Sequence, residues 1–165
     1  MKMELIQPFI NAADAVLSET LKSSTRIGDV SMDEEIYRRK GTAALINVNG
    51  DIQGRVIFDI ETSTAAKVAS ALAGEDITES DDMVRETVCE LANLVIGNAI
   101  TTLNDQGFTF RIVPPEVHSS ELGLKGTEDT EALVLCFETP AGNVYMNIAM
   151  HYNRRRRAER ARTPA

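Results

Sequence analysis

Apolar residues recur every three or four positions in two long stretches of this chain, which is the spacing of one buried helix face. The first stretch predicts a helix over residues 3–23, in which Pro8 is tolerated only near the helix start. The second predicts a longer helix that runs to about Asn104. Thr78 is its expected N-cap, and Asp81 completes a capping box.

Period-two alternation and turn residues indicate strands in much of the remaining chain. Asn49-Gly50 separates two such runs and is a strong hairpin signal, and Pro140-Ala141-Gly142 separates the last two. A short helix over residues 63–73, stopped by Gly74, leads from the first hairpin to the long helix. The expected strands lie at residues 27–30, 42–48, 52–60, 108–113, 131–138 and 143–152.

Hairpins that alternate with two long helices indicate an α+β fold. We expect a largely antiparallel β-sheet packed against two long helices and one short helix. In the run 52–60, Gln53, Arg55 and Asp59 fall on one face, and the other face holds Ile52, Gly54, Val56, Phe58 and Ile60. We therefore expect the sheet to be buried on one side.

The charge is unevenly placed along the chain, whose formal net charge is −8. Residues 154–165 hold six arginines and one glutamate, and residues 1–153 hold 11 basic and 24 acidic residues, a net charge of −13. Nucleic-acid phosphates repel so acidic a body, which argues against a DNA or RNA partner. We interpret residues 1–153 as one domain and residues 154–165 as a basic, solvated and disordered tail.

The composition excludes several classes of protein. With 43% hydrophobic residues and mixed charge, the sequence is typical of a soluble globular domain. It has no apolar run long enough to cross a bilayer, and its N-terminus lacks a signal peptide. Two cysteines, Cys89 and Cys136, suit a reducing compartment, where we expect them to pack as small apolar residues. We therefore expect a cytoplasmic location and no membrane partner.

The sequence offers no motif for a resident cofactor. It has no phosphate-binding glycine loop, no dinucleotide fingerprint and no nucleophile elbow. The two histidines, His118 and His151, have no zinc-type spacing. Asp81, Asp82 and Glu86 stand at a helix start, where the helix dipole stabilises acids without a metal. We expect neither a cofactor nor a metal ion of the protein's own.

The most informative feature is the polar face of the long helix. At about 100° per residue, Glu86, Glu90, Asn93 and Gly97 fall within an arc of roughly 60°, opposite the apolar stripe. Charged residues opposite such a stripe are often no more than a solvated surface. Gly97 argues for a further role, because glycine within a helix costs about 1 kcal/mol relative to alanine. It leaves room for another backbone or a ligand.

Glu90-x-x-Asn93 on a long helix, followed by a strand that ends at Pro114-Pro115, resembles the CheC/CheX/FliY family of phosphatases. The hairpin over residues 41–60, with its Gly-x-Val pattern, and the short helix before the motif are also similar to this family. The resemblance spans residues 3–152, and a single Glu-x-x-Asn helix is similar to the CheX branch. Two features depart from the family pattern: Glu86 replaces the usual Asp or Ser, and the distance from Asn93 to the prolines is shorter.

The resemblance implies hydrolysis of the aspartyl phosphate of a phosphorylated, CheY-like response regulator, whose own site supplies a magnesium ion and a lysine. Asn93 would position the attacking water, and Glu90 would pair with the lysine. The regulator would also contact Met83, Glu86, Leu94 and Gly97. The resemblance further implies a homodimer. Two alternatives stay open: a non-catalytic module of the same fold that binds a response regulator or flagellar-switch component, and a plain scaffold.

A possible internal repeat links the two long helices. With an offset of 82, the aligned pairs are Asn11 with Asn93, Thr20 with Thr102, and Leu21 with Leu103. Pro8 then occupies the position of Glu90. If the two halves share an ancestor, the first helix has lost the carboxylate of the pair.

Overall fold

The computed structural model describes residues 3–33, 39–80, 82–112, 116–118 and 131–153. Its helices are α1 (Met3–Leu21), α2 (Thr62–Ala73) and α3 (Asp82–Asp105). Its strands are β1 (Arg26–Asp33), β2 (Thr42–Gly50), β3 (Ile52–Ile60), β4 (Phe110–Ile112), β5 (Glu116–His118), β6 (Ala132–Thr139) and β7 (Gly142–Tyr152). All strand pairs in these ranges are antiparallel, so the predicted α+β class is confirmed. The predicted tail, Asp81 and Pro114-Pro115 lie outside the described residues.

The strands form one sheet in the order β1-β6-β7-β3-β2-β4, with β5 also paired to β2. The segment α1-β1-β2-β3 has a counterpart in α3-β4-β6-β7. The first strand of each half pairs with a strand of the other half: β1 pairs with β6, and β4 pairs with β2. The two halves therefore meet at the central β3–β7 ladder, an arrangement that supports the internal repeat suggested by the sequence.

The helices cover one face of the sheet and build the main core with it. Phe58 of β3 packs in the same buried cluster as Phe9 of α1 and Leu91 of α3. The predicted apolar stripe of α3 is buried along its whole length, as Val84, Val88, Leu91, Val95 and Ala99. This packing leaves the opposite side of α3 facing away from the core.

The sheet face turned away from the helices, called the outer face below, is not open to solvent as predicted. On this face Arg55 is 4% exposed, and Ile57, Asp59 and Asn147 are fully buried. Asp59 accepts hydrogen bonds from the backbone N–H groups of residues 40 and 41. The prediction of one-sided burial was wrong because strand alternation assigns residues to a face without showing whether that face is covered.

The first hairpin is confirmed, but its turn lies at Asp51 and not at Asn49-Gly50. Strand β2 continues to Gly50, which pairs with Phe110 of β4. The Asp51 carboxylate accepts hydrogen bonds from the Thr109 backbone N–H (2.8 Å) and hydroxyl (2.9 Å). The two strands separate at this end because each continues along a different neighbour, β2 along β4 and β3 along β7.

The predicted N-cap of α3 was also wrong. The helix begins at Asp82, four residues beyond Thr78, whose hydroxyl lies 3.4 Å from that of Ser80. The backbone N–H of Ile77 donates to the Ser70 hydroxyl of α2 (2.8 Å), which holds the connection against α2. Gly74 ends α2 as predicted, with a left-handed φ of 72°.

The sequence underestimated two strands at the edges of the sheet and overestimated β4, which covers Phe110–Ile112 within the predicted 108–113. Strand β1 covers residues 26–33 instead of 27–30, and β5 was not predicted. Both pair with only one neighbour, so partner strands and not local propensity define their lengths. In the described part of the chain, no helix has the length and apolar character needed to cross a membrane.

Candidate functional site

The residues that the sequence singled out lie on one exposed face of α3, called the α3 face below. All six are exposed to solvent: Met83, Glu86, Glu90, Asn93, Leu94 and Gly97. At a rise of about 1.5 Å per residue they extend over roughly 21 Å of the helix surface. Glu90 and Asn93 stand near the middle, less than one turn apart. The helix thus presents a carboxylate and a carboxamide side by side on a surface that a partner protein can reach.

The buried side of α3 fixes the position of the α3 face relative to the rest of the protein. Val88 and Leu91, which flank Glu90 in the sequence, are 0% and 1% exposed and belong to the main core. Helix α1 packs along α3, and the sheet lies beneath both. Apart from Thr87, the buried side of α3 is apolar, so the direction in which the exposed side chains project follows from the packing of the helix.

Asn93 has a contact that the sequence analysis missed. Its Nδ2 donates a long hydrogen bond to the Cys89 sulfur, 3.9 Å away and one turn earlier on α3. Sulfur is a weak acceptor, but this contact orients the carboxamide so that its oxygen points away from the thiol. The i, i+4 spacing of the two residues was visible in the sequence, where we assigned Cys89 only a packing role.

The α3 face also offers apolar contact and open space. Met83 is 39% exposed and Leu94 is 49% exposed, so both present apolar surface to solvent. A Cβ atom added to Gly97 would meet no neighbouring atom within 4 Å. The glycine is therefore not required by packing inside this protein.

The α3 face is acidic at its N-terminal end. Asp82, Glu86 and Glu90 are exposed on successive turns, and Arg85 lies between them in the sequence. Acids in the first turns of a helix are favoured by the helix dipole. Their combined field attracts a cationic group of a partner toward Glu90.

A groove of about 400 Å³ lies beside this face, between α1 and α3. Asn11, the residue that aligns with Asn93 in the internal repeat, lines it together with Gln7 and Pro8 of α1 and Asn98 and Thr102 of α3. Gln7 donates a hydrogen bond of 2.8 Å to the Asn11 side-chain oxygen. Pro8 supplies no carboxylate at the position that aligns with Glu90, and the carboxylate that lines the groove is that of Glu4, seven residues before Asn11.

The other titratable residues considered in the sequence have local roles. Burial, together with the nearby Glu138 and Glu61 carboxylates, raises the pKa of the Cys136 thiol, which disfavours a nucleophilic thiolate. His151 Nε2 lies 2.9 Å from Gln53 Nε2 on the outer face. Within the described ranges, no three histidine, cysteine or acidic side chains are grouped as a metal site requires.

Comparison with known proteins identifies a matching family. The family described as chemotaxis phosphatase CheX matches residues 42–138. The CheY-P phosphatase CheX of Thermotoga maritima is 25% identical over 120 residues, which cover 72% of this chain and 77% of that protein.

Two solved structures share the fold. A CheC-like superfamily protein from Shewanella sp. PV-4 has a TM-score of 0.82 at 23% identity, over 92% of this chain and 99% of that one. The CheX–CheY–BeF₃–Mg²⁺ complex from Borrelia burgdorferi has a TM-score of 0.73 at 30% identity, over 91% of this chain and 99% of that one.

Proposed function

This chain belongs to the chemotaxis phosphatase CheX family, and we propose that it hydrolyses the aspartyl phosphate of a phosphorylated, CheY-type response regulator. The observation that carries the proposal is the exposed pair Glu90 and Asn93 at the middle of the α3 face. A relative of this chain is a CheY-P phosphatase, and another was solved in complex with CheY, BeF₃ and Mg²⁺. The magnesium ion and the activated bond would belong to the regulator.

Asn93 is proposed to position the attacking water. Phosphoryl transfer needs an oxygen nucleophile in line with the bond that breaks, and little covalent chemistry from the protein. A carboxamide can accept a hydrogen bond from the water and donate one to a phosphoryl oxygen. The water oxygen would form the new bond to phosphorus while the bond to the aspartyl oxygen breaks. The Cys89 contact engages the Asn93 amide nitrogen and leaves its oxygen free to accept a hydrogen bond from the water.

Glu90 is proposed to pair with the lysine of the regulator's active site. Its carboxylate lies on the same side of α3 as the Asn93 carboxamide, so one docking pose would serve both. Docking would exclude water from this ion pair and make it costly to break. The pair would therefore fix the register of α3 against the phosphorylated site.

The remaining residues of the α3 face are proposed to complete the docking surface. Met83 and Leu94 would supply apolar contacts, and Glu86 would extend the acidic surface one turn before Glu90. Gly97 would allow the regulator to approach the helix backbone closely, which fits the empty space around it.

A non-catalytic module would use the same α3 face to bind a response regulator or a flagellar-switch component without hydrolysis. Such a module needs acidic and apolar contacts, but it has no need of a carboxamide beside the carboxylate. The Glu90/Asn93 pair therefore favours the phosphatase.

Replacement of Asn93 by alanine tests the phosphatase directly. We expect the rate of phosphate release from a phosphorylated CheY-type regulator to fall by about two to four orders of magnitude, the range for a positioned catalytic group. Folding should survive because the side chain is exposed. The matched control is Asn98→Ala, an exposed asparagine on α3 that faces the α1 groove.

The test has two adverse outcomes. If wild-type protein binds the regulator carrying BeF₃ and Mg²⁺ but releases no phosphate across a panel of such regulators, the chain is a binding module. If Asn93→Ala and Asn98→Ala retain equal activity, Asn93 is not the group that positions water.

We also propose that the protein works in the cytoplasm as a homodimer and that residues 1–153 form its single domain. The observation that supports the dimer is strand β1, which stands at one edge of the sheet with three exposed apolar side chains. The measurement that tests it is given in the Discussion.

A further inference from the structure

The outer face of the sheet buries two hydrogen-bond donors that the proposed phosphatase reaction does not use. Arg55 of β3 is 4% exposed, and Asn147 of β7 is 0% exposed. They lie on neighbouring strands at the centre of the sheet, where β3 and β7 pair along their whole length. This position is on the side of the sheet away from α3.

The two side chains satisfy each other only in part. One Arg55 terminal nitrogen donates to the Asn147 side-chain oxygen. Arg55 Nε and Asn147 Nδ2 are both buried and have no hydrogen-bond partner among the atoms of the structure. Each of these two groups is a donor only. Burial lowers the pKa of the Arg55 guanidinium, but this group stays charged at neutral pH.

No carboxylate of the described residues compensates this charge. Asp51 and Asp59 stand four residues to either side of Arg55, about 13 Å away along an extended strand. Asp51 accepts hydrogen bonds from Thr109, and Asp59 accepts them from backbone N–H groups. Directly across the neighbouring strands, Arg55 faces two residues without charge, Asn47 and Ala149. A buried cation in such surroundings is costly unless an anion neutralises it.

We propose that the outer face holds a binding site for a small inorganic oxyanion such as phosphate, built on Arg55 and Asn147. The guanidinium presents its donors as a planar fork that fits an oxyanion, and the unpaired amide of Asn147 adds a further donor from the next strand. The site lies in the middle of the sheet with Arg55 only 4% exposed, so its occupant has to be small. The bound anion stabilises the fold and takes no part in the reaction at α3.

Thermal unfolding of the 165-residue chain, measured against phosphate concentration, tests this site. Ionic strength is held constant with potassium gluconate, whose anion is much larger than phosphate. We expect the melting temperature to rise by several degrees with phosphate and then to saturate, because a ligand that binds only the folded state stabilises it. In the Arg55→Met variant, which keeps the side-chain volume and removes the charge, the dependence should vanish. The control Arg111→Met removes the same charge from an exposed residue of β4, and its melting temperature should still rise with phosphate concentration.

A second variant keeps the test decisive if Arg55→Met fails to fold. Asn147→Asp places a carboxylate beside the guanidinium, so it should raise the melting temperature in phosphate-free buffer and abolish the effect of phosphate. The proposal is overturned if wild-type stability is independent of phosphate, or if Arg55→Met or Asn147→Asp retains a saturable dependence. It is also overturned if light scattering shows that Arg55→Met changes the oligomeric state, because Arg55 would then pair with a carboxylate of another subunit.

Discussion

At the scale of single residues, the proposed reaction depends on the orientation of the Asn93 carboxamide. An exposed asparagine samples several rotamers, and only some direct its oxygen toward a docked partner. The bond from Asn93 Nδ2 to the Cys89 sulfur restricts this freedom before docking. After docking, bulk water is excluded, and only the attacking water remains beside the carboxamide. Cys89 is therefore a positioning residue of the proposed reaction.

The Cys89→Ala variant tests this role. We expect turnover to fall by about two- to threefold, the equivalent of a weak neutral hydrogen bond of ~0.5 kcal/mol, while affinity for the regulator stays unchanged. Steady-state kinetics with varied concentrations of phosphorylated regulator separates the two parameters. Cys136→Ala, which changes a thiol on β6, is the control. A loss in Cys89→Ala that persists in an Asn93→Ala background would show that the thiol acts independently of Asn93.

Glu90 should affect binding more than chemistry. Glu90→Gln keeps the shape and removes the charge, so affinity for the regulator with BeF₃ and Mg²⁺ should weaken by about tenfold or more. The salt dependence of binding should also decrease, because one attractive charge pair is lost. Titrations at two ionic strengths measure both effects. Asp105→Asn makes the same change at the far end of α3, where we expect little effect. If turnover collapses at unchanged affinity, the carboxylate takes part in the chemical step.

Glu90 and Asn93 could be identified from the sequence, but the contacts around the proposed sites could not. Glu90 and Asn93 were found because helical angles depend only on spacing along the chain. Arg55 was assigned to the polar side of a strand, and its burial could not be foreseen, since it depends on neighbouring strands far away in the sequence. The Cys89 contact depends on side-chain rotamers, which periodicity does not report.

At the scale of elements, long periodic segments were predictable and short edge segments were not. Helix α3 ends within one residue of its predicted end, because its apolar stripe stays in phase over 24 residues. Its start was misplaced because Thr78 has the chemistry of an N-cap, while the bond between Ile77 and Ser70 holds this connection against α2. Strands β1 and β5 have no comparable local signal, since each is defined by the single strand that it pairs with.

At this scale we predict opposite effects of a Gly97 substitution on the stability of the protein and on regulator binding. An alanine Cβ would meet no atom within 4 Å, and helical alanine is favoured, so Gly97→Ala should stabilise the free protein by about 0.5–1 kcal/mol. If a partner approaches the helix backbone at this position, the same methyl group should weaken regulator binding. Denaturant unfolding and binding to the regulator with BeF₃ and Mg²⁺ measure the two effects. Asn98→Ala is the control for helix propensity without contact to the α3 face. Unchanged affinity in Gly97→Ala would place the docking surface elsewhere on the molecule.

At the scale of the whole molecule, exchange of β1 and β4 between the two halves creates an edge that the helices do not cover. Opposite residues of an antiparallel pair share a face, so Ile27, Val30 and Met32 lie on the helix side of the sheet, opposite Phe137, Leu135 and Leu133. Their partners on β6 are buried, whereas the three β1 side chains are 45%, 55% and 48% exposed. The apolar layer therefore continues beyond the core to the sheet edge. This surface could not be predicted, because the predicted strand ended at Val30 and the strand beside it was unknown.

This edge suggests how the proposed homodimer forms. A second copy that covers β1 would bury the three apolar side chains and pair the open strand edge, which otherwise favours aggregation. We expect light scattering to give twice the chain mass of 18.1 kDa for the wild type. Val30→Lys should give the monomer with its helix content unchanged, because a buried lysine at the interface has no partner. Leu72→Lys changes an equally exposed residue of α2 and should remain dimeric. A monomeric wild type would rule out the dimer, and a dimer unaffected by Val30→Lys would place the interface on another surface.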